Sequence, residues 1–150
     1  MTRIIIDRSL CQGCLNCTLA CMEEHNEKGK SVFDLDLEDG KNESRSYIIM
    51  DSEGRVTPIF CRHCDDPECV AACMSGALTK DPVTGIVKYD EEKCADCFMC
   101  VMCCPYGVLK ADNITKKIIL KCDFCEGRET PRCVESCPSG AISLSKEGLK

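Results

Sequence analysis

Short apolar runs separated by turn residues dominate the hydrophobic pattern of the chain, and they predict hairpins rather than long helices. Residues 79–90 form the clearest case. There the turn sequence Asp81-Pro82-Val83-Thr84-Gly85 precedes an apolar-polar return strand over Ile86–Tyr89. Asp112 and Asn113 with Lys117–Leu120 repeat this plan.

A third hairpin is predicted in the segment 22–60, where Tyr47–Met50 and Arg55–Phe60 flank the turn Ser52-Glu53-Gly54. The rest of this segment is charged, for example over residues 34–39. We interpret 22–60 as an insertion that covers its surroundings, because charge runs are usually solvated. A docking surface is the alternative.

One six-residue motif occurs three times, and each copy contains a glycine. It reads Cys-Met-Ser-Gly-Ala-Leu, Cys-Pro-Tyr-Gly-Val-Leu and Cys-Pro-Ser-Gly-Ala-Ile, with its glycines at Gly76, Gly107 and Gly140. A fixed glycine indicates a positive φ or a close approach of the backbone to another group. The predicted unit is a cysteine loop, a short helix, a turn and a hairpin, repeated along the chain.

Cysteine is the most unusual feature of the composition, with 17 in 150 residues. The cysteines fall into four groups of four, with one left over. Groups one and three have the spacing C-x2-C-x2-C-x3-C, whereas groups two and four have a longer loop after the second cysteine. The groups are Cys11, Cys14, Cys17 and Cys21; Cys61, Cys64, Cys69 and Cys73; Cys94, Cys97, Cys100 and Cys104; and Cys122, Cys125, Cys133 and Cys137.

This spacing is that of bacterial ferredoxins, which hold cubane iron–sulfur clusters. Three closely spaced cysteines wrap three corners of one cube, and the fourth, on a following helical turn, ligates a neighbouring cube. A proline follows Cys104 and Cys137, which ends the helix there. We therefore predict four [4Fe-4S] clusters and no separate catalytic residue.

Two other uses of so many cysteines are weaker. Disulfides usually join distant segments, whereas these cysteines are tightly grouped and odd in number. A zinc-stabilised interaction module remains as an alternative, although zinc sites typically use pairs of C-x2-C knuckles. With aromatics at 5% and no tryptophan, the apolar core is thin, and bound metal is expected to stabilise the fold.

Several residues near the cysteines receive separate expectations. We assign Cys104, next to Pro105, as a ligand and Cys103 as the spare thiol. His63 is expected to pack beside a cluster and His25 to face solvent. The methionines adjoining the cysteines are expected to pack against the clusters and shield them from water: Met22, Met74, Met99 and Met102.

Charge and apolar patterning exclude several functions. The formal charge of −6 disfavours nucleic acid as a partner. No apolar run is long enough for a transmembrane helix, and the N-terminal residues lack the apolar run of a secretory signal, so a cytoplasmic location is expected. The chain has no nucleotide-binding or hydrolase motif, which indicates a non-catalytic role.

The four groups, in this order from about Ile4 to Leu144, resemble the four-cluster ferredoxin-like electron-transfer subunits. Such subunits serve molybdopterin oxidoreductases, formate hydrogenlyase and carbon monoxide dehydrogenase. Among them the chain is most similar to the carbon monoxide dehydrogenase-associated ferredoxin. The resemblance implies an α+β fold of two ferredoxin-like modules related by internal repeat, with all four clusters forming one electron path.

Spacing alone leaves two ways to pair the groups, one with two and three with four, or one with four and two with three. The shorter linker between groups two and three favours the second, nested scheme, and the resemblance implies it too. The nested ligand sets are quartet 1 (Cys11, Cys14, Cys17, Cys137), quartet 2 (Cys122, Cys125, Cys133, Cys21), quartet 3 (Cys61, Cys64, Cys69, Cys104) and quartet 4 (Cys94, Cys97, Cys100, Cys73).

The nested scheme divides the chain into an outer module, residues 1–21 plus 105–150, an insertion, 22–60, and a central module, 61–104. The expected function is electron transfer between a redox enzyme, with carbon monoxide dehydrogenase as the first choice, and an acceptor such as a hydrogenase or flavin oxidoreductase. The electron-transfer subunit of a tungsten or molybdenum aldehyde or formate oxidoreductase is the alternative.

Overall fold

The chain folds into short strands and short helices, as an α+β protein of ferredoxin-like type. The computed structural model describes residues 3–27, 29 and 31–145; the expected module ends at 1–2 and 146–150 lie outside them. The α-helices are α1 (Asn16–Glu24), α2 (Glu68–Ala71), α3 (Met99–Cys103) and α4 (Arg132–Glu135). The strands are β1 (Arg3–Ile6), β2 (Tyr47–Met50), β3 (Val56–Ile59), β4 (Leu78–Lys80), β5 (Val87–Tyr89), β6 (Lys110–Ala111), β7 (Ile119–Leu120) and β8 (Ile142–Ser145).

The described strands pair into two-stranded antiparallel sheets. Three of these are the hairpins β2–β3, β4–β5 and β6–β7 that the turn residues predict, and they are confirmed. The fourth joins the two ends of the chain, with Ile4 of β1 opposite Leu144 of β8. This last pairing brings the first and fourth cysteine groups to the same part of the molecule.

The three repeated glycines have positive φ, as expected, at 70° for Gly76, 60° for Gly107 and 67° for Gly140. A Cβ at any of the three would meet no protein atom within 4 Å. The protein contacts therefore support a requirement for positive φ at these glycines, rather than a close approach of the backbone to another protein group.

Proline positions define the ends of the short helices. Pro67 and Pro131 are the N-cap residues of α2 and α4. Helix α3 ends at Cys103, so that Cys104 and Pro105 follow it in extended conformation. This places the fourth cysteine of the group just beyond the last helical turn.

Two apolar cores hold the elements together. The first contains Leu78, Val87 and Leu109 with Cys61 and Cys100. The second is smaller and consists of Cys17, Phe60, Cys133 and Ile142. Cysteines contribute to both, because they line the spaces around which the helices pack.

The first core also includes Val108 and Ile119, which the sequence-based division assigns to the outer module. The hairpin β6–β7 thus packs on elements of the central module. The division of the chain into modules at residues 104 and 105 stays a prediction.

The insertion 22–60 is tied to the later part of the chain by polar contacts. Glu43 accepts hydrogen bonds from the backbone and side chain of Asn113 and forms an ion pair with Lys110 at 3.3 Å. Lys41 pairs with Glu91 at 3.2 Å. These contacts support its interpretation as a cover, although Phe33 and Leu37 project into solvent.

Candidate iron–sulfur centres

All 17 cysteines lie in the described part of the chain, and all have free thiols. Three small cavities of similar size are each lined by four of them. The first has Cys61, Cys64, Cys69 and Cys104; the second Cys73, Cys94, Cys97 and Cys100; the third Cys11, Cys14, Cys17 and Cys137. These are quartets 3, 4 and 1.

Quartets 3 and 4 come together because helices α2 and α3 pack against each other. Each helix carries the third cysteine of its own group, Cys69 on α2 and Cys100 on α3. The fourth cysteine follows each helix and lines the cavity of the other group. The two helices thus exchange their last cysteines.

Helices α1 and α4 pack in the same way and serve quartets 1 and 2. Cys17 and Cys21 lie on α1, and Cys133 lies on α4. Burial, together with the neighbouring thiols of Cys21 and Cys125, raises the pKa of Cys133 to about 12. Burial raises the pKa of Cys122, and the nearby thiols of Cys61, from quartet 3, and of Cys21 raise it as well. The members of quartet 2 are therefore neighbours as well.

A left-handed residue precedes the second cysteine in every group. The φ angles are 67° at Gly13, 44° at His63, 50° at Asp96 and 64° at Phe124. Non-glycine residues in this conformation cost about 1–3 kcal/mol each and concentrate at functional sites. Turns of this kind point backbone N–H groups into a concavity that binds anions, including the negatively charged clusters of Fe–S sites.

The four cysteines of each cavity and the left-handed loops beside them fit a [4Fe-4S] cluster. Thiolate is the ligand such clusters require. The described residues contain no group of three or more His, Cys, Asp or Glu side chains close enough to hold a single metal ion. Sequence reasoning missed the left-handed residues, since of the four only Gly13 adopts this conformation without steric cost.

The fourth cysteines of quartets 1 and 4 have matching surroundings. The Cys73 Sγ lies 3.6 Å from the Ser75 hydroxyl, and the Cys137 Sγ lies 3.7 Å from that of Ser139. Burial acts to raise both thiol pKa values, but the serine hydroxyl and backbone N–H groups outweigh it and lower them. Both loops thus favour the thiolate form, which binds metal.

His25 is buried rather than solvent-facing, so the expectation for it is wrong. Its side chain is 13% exposed, with Nε2 3.0 Å from Asp123 Oδ1 and Nδ1 2.6 Å from the Cys21 carbonyl oxygen. Burial lowers the pKa of His25, yet its contacts with Asp123 and Cys21 prevail and raise it to about 10. The backbone N–H of Arg45 also donates to Cys21 Sγ, at 3.4 Å. The insertion therefore covers one side of quartet 2.

His63 packs beside quartet 3, as expected. It lines that cavity, accepts a hydrogen bond from the Val87 N–H at 3.0 Å and meets the Phe124 ring edge-on at 5.6 Å. Burial and the nearby Lys121 ammonium lower the pKa of His63 to about 3, so its ring is neutral. No sequence signal points to Lys121, which is nevertheless buried.

Two further expectations have different outcomes. Cys104 lines the quartet 3 cavity, whereas the thiol of Cys103 lies 3.6 Å from the Cys100 carbonyl oxygen.

Met74 and Met102 are 94% and 79% exposed, so the expectation that they shield clusters is wrong. Met99 is half-exposed and Met22 half-buried. Met102 lies on the short helix α3, one side of which already carries Cys100, and Met74 lies in the turn that follows α2.

The fold and the cysteine cavities define an iron–sulfur protein of ferredoxin-like type. A family model described as a 4Fe-4S dicluster domain matches residues 52–147. The chain belongs to this family.

Curated relatives resemble nearly the whole chain. The beta subunit of NADH-dependent phenylglyoxylate dehydrogenase from Aromatoleum evansii is 38% identical over 93% of this chain and 29% of its own length. The hydrogenase-2 operon protein HybA of Escherichia coli O157:H7 is 34% identical over 93% of this chain and 50% of its own. Protein NrfC of Escherichia coli K12 is 34% identical, with shares of 94% and 63%. The chain thus spans between about a third and two thirds of the length of these relatives.

Solved structures share the fold. A chain in the BamBC active-site complex of benzoyl-coenzyme A reductase with benzoyl-CoA superposes with a TM-score of 0.54 at 23% identity, covering 97% of this chain and 79% of the other. A chain of the same complex with 1,5-dienoyl-CoA gives a TM-score of 0.56 at 21% identity, with shares of 100% and 78%. Within the described residues, no helix has both the length and the apolar character needed to span a membrane.

Proposed function

We propose that the chain is a non-catalytic electron-transfer subunit with four [4Fe-4S] clusters, one for each quartet. When bound, such a cluster carries one electron at a time. The observation that carries the proposal is the set of three similar cavities, each lined by one complete quartet. The proximity of the quartet 2 cysteines supports the fourth cluster.

The arrangement of the quartets supports an order 1–2–3–4. Cys17 of quartet 1 is a neighbour of Cys133 of quartet 2, and Lys121 contacts residues of quartets 2 and 3. Helix α3 carries Cys100 of quartet 4 and is followed at once by Cys104 of quartet 3. The exposed ligands are Cys14 in quartet 1 and Cys97 in quartet 4. Electrons would therefore enter and leave at opposite ends of the series, through two related ferredoxin-like modules.

Metal content tests the number of clusters. Anaerobically isolated protein is expected to contain about sixteen iron and sixteen sulfide per chain, four of each per cubane. Zinc in place of iron would support the interaction-module alternative instead. Iron sufficient for only two clusters would contradict the proposal.

The nested ligand sets are tested by serine variants read through their paramagnetic signals. Cys73→Ser is expected to alter the same signal as Cys94→Ser, because quartet 4 contains both. Under sequential pairing, Cys73→Ser would share the signal of Cys11→Ser. Cys11→Ser and Cys137→Ser form a second matched pair for quartet 1.

A cytoplasmic redox enzyme is the proposed partner. Relatives named for phenylglyoxylate dehydrogenase and hydrogenase-2 support a partner of this class. Carbon monoxide dehydrogenase remains our first choice and a tungsten or molybdenum aldehyde or formate oxidoreductase the alternative, with a hydrogenase or flavin oxidoreductase as acceptor. Mixing the loaded chain with each enzyme and its substrate, and following cluster reduction, decides between them. Reduction by neither enzyme would contradict both choices.

A further inference from the structure

Lys121 occupies an unusual position, because a buried lysine lies between two candidate cluster sites. It is 7% exposed, and its Nζ donates to the Cys122 carbonyl oxygen at 2.7 Å and to Cys61 Sγ at 3.7 Å. Cys61 belongs to quartet 3, and Cys122 belongs to quartet 2. A cation in a buried position interacts more strongly with nearby charges than one in water.

Quartet 2 receives further positive groups from the insertion. The guanidinium of Arg45 lies near Cys21, the Asp123 carboxylate, Cys122 and Cys125. The loss of solvent around it lowers its pKa, an effect that these groups oppose. Its backbone N–H also donates to Cys21 Sγ. Quartets 2 and 3, the inner quartets, thus face cations, the buried Lys121 and the half-buried Arg45.

Quartets 1 and 4, the outer quartets, have neutral donors instead. In the described part of the chain the serine hydroxyls of Ser75 and Ser139 approach the sulfurs of Cys73 and Cys137. The potential of an iron–sulfur cluster rises with hydrogen bonds to its sulfurs and depends on charge and solvent exposure. A cation favours the reduced form, which carries one more negative charge.

We propose that Lys121 is a positioning residue that raises the reduction potentials of the two inner clusters together, so that electrons on the path rest in the middle of the molecule. This inference rests on the proposed four-cluster function. Its geometric basis is one ammonium group that contacts a ligand sulfur of quartet 3 and the backbone of a ligand of quartet 2.

A potentiometric titration of the fully loaded protein, followed by paramagnetic resonance, tests the proposal. Cys61→Ser and Cys122→Ser first assign the signals of the inner clusters. In the unaltered protein the inner clusters are expected to be reduced before the outer ones. Lys121→Met is expected to lower the equilibrium constant for reduction of both inner clusters at least tenfold, which is about 59 mV for a one-electron couple.

Three variants make the result specific. Lys121→Arg keeps the positive charge and is expected to retain most of the inner-cluster reduction potential that Lys121→Met loses. Ser75→Ala removes a neutral donor and is expected to affect quartet 4 alone. Lys117→Met removes an exposed lysine from the preceding hairpin β6–β7 and is expected to move neither inner potential. If Lys121→Met does not retain four clusters, Lys121→Gln, which keeps an N–H donor without charge, is expected to shift the inner potentials in the same direction.

The outcomes separate this inference from the function on which it rests. Inner potentials that stay unchanged in both Lys121→Met and Lys121→Gln, or that shift equally in all four clusters, would overturn the role of Lys121 while leaving four clusters in place. An iron content below four cubanes in the unaltered protein would instead contradict the proposed function, and the inference with it.

Discussion

At the residue scale, the most informative positions are those that type alone does not reveal. His63, Asp96 and Phe124 have left-handed φ angles that cost energy in isolation, and each lies directly before the second cysteine of its group. Gly13 occupies the same position in group one without that cost. The same conformation in four different residue types indicates that the loop and what it encloses, rather than the type of residue, determine the backbone conformation at this position.

The choice between Cys103 and Cys104 yields a prediction at this scale. Cys104 lines the quartet 3 cavity, and Cys103 does not belong to any of the three cavity linings. Cys104→Ala is therefore expected to lose about four iron atoms, those of one cubane, and Cys103→Ala to lose none. Iron and sulfide analysis of both variants measures this. The reverse result would move the ligand to Cys103.

At the element scale, one buried carboxylate organises the hairpin β6–β7. Asp112 is fully buried and accepts hydrogen bonds from the backbone N–H groups of Thr115, Lys116, Lys117 and Ile118, those of Lys117 and Ile118 at 3.0 and 2.8 Å. Burial acts to raise its pKa, but these bonds outweigh it and hold the pKa well below the usual carboxyl range. The hairpin therefore depends on an ionised Asp112.

Asp112→Asn is expected to weaken this hairpin by about 1–3 kcal/mol, because an amide has one acceptor oxygen and its NH2 would face N–H donors. Faster hydrogen exchange of residues 115–118 at neutral pH measures the loss. Asp81→Asn is the matched control. Asp81 caps the β4–β5 turn, but within the described residues its carboxylate accepts backbone hydrogen bonds only from Val83 and Thr84, so the effect should be smaller. If Asp112→Asn and Asp81→Asn accelerated hydrogen exchange equally in their own hairpins, that result would contradict the role of Asp112.

The folded-state pKa of Asp112 also fixes the sign of a pH effect. The carboxyl titrates lower in the folded chain than in the unfolded chain, where a value near 3.9 is usual. Its contribution is therefore fully present above about pH 4 to 5 and declines as pH falls toward the folded pKa. The difference between the unaltered protein and Asp112→Asn should accordingly be constant around neutrality.

Hairpins were predictable from sequence because their signals are local, as in Asp81-Pro82-Val83-Thr84-Gly85. The burial of His25 was not, since its partner Asp123 lies 98 positions away and the surrounding sequence is polar. Lys121 is a similar case. Grouping of cysteines could be predicted from spacing and resemblance, whereas the charges that the fold places around each group depend on non-local packing.

At the scale of the whole molecule, the helices pack around spaces rather than around a continuous apolar core. Of the four buried residues in the smaller core, two are the cysteines Cys17 and Cys133. The larger core likewise includes Cys61 and Cys100. Apolar burial stabilises a domain roughly in proportion to area, and here much of the interior surface belongs to thiols that face the four-cysteine cavities.

Removal of the metal is therefore expected to unfold the chain. With the clusters gone, the thiols of each quartet would face an unfilled interior, and the remaining apolar contacts are few. In metal-dependent small domains, the free energy of metal binding is folding free energy. Circular dichroism and hydrogen exchange, measured anaerobically before and after chelation under reducing conditions, should show loss of protection in both cores together. A chelated, colourless sample that still melts in one sharp cooperative transition would show that the protein contacts alone hold the fold.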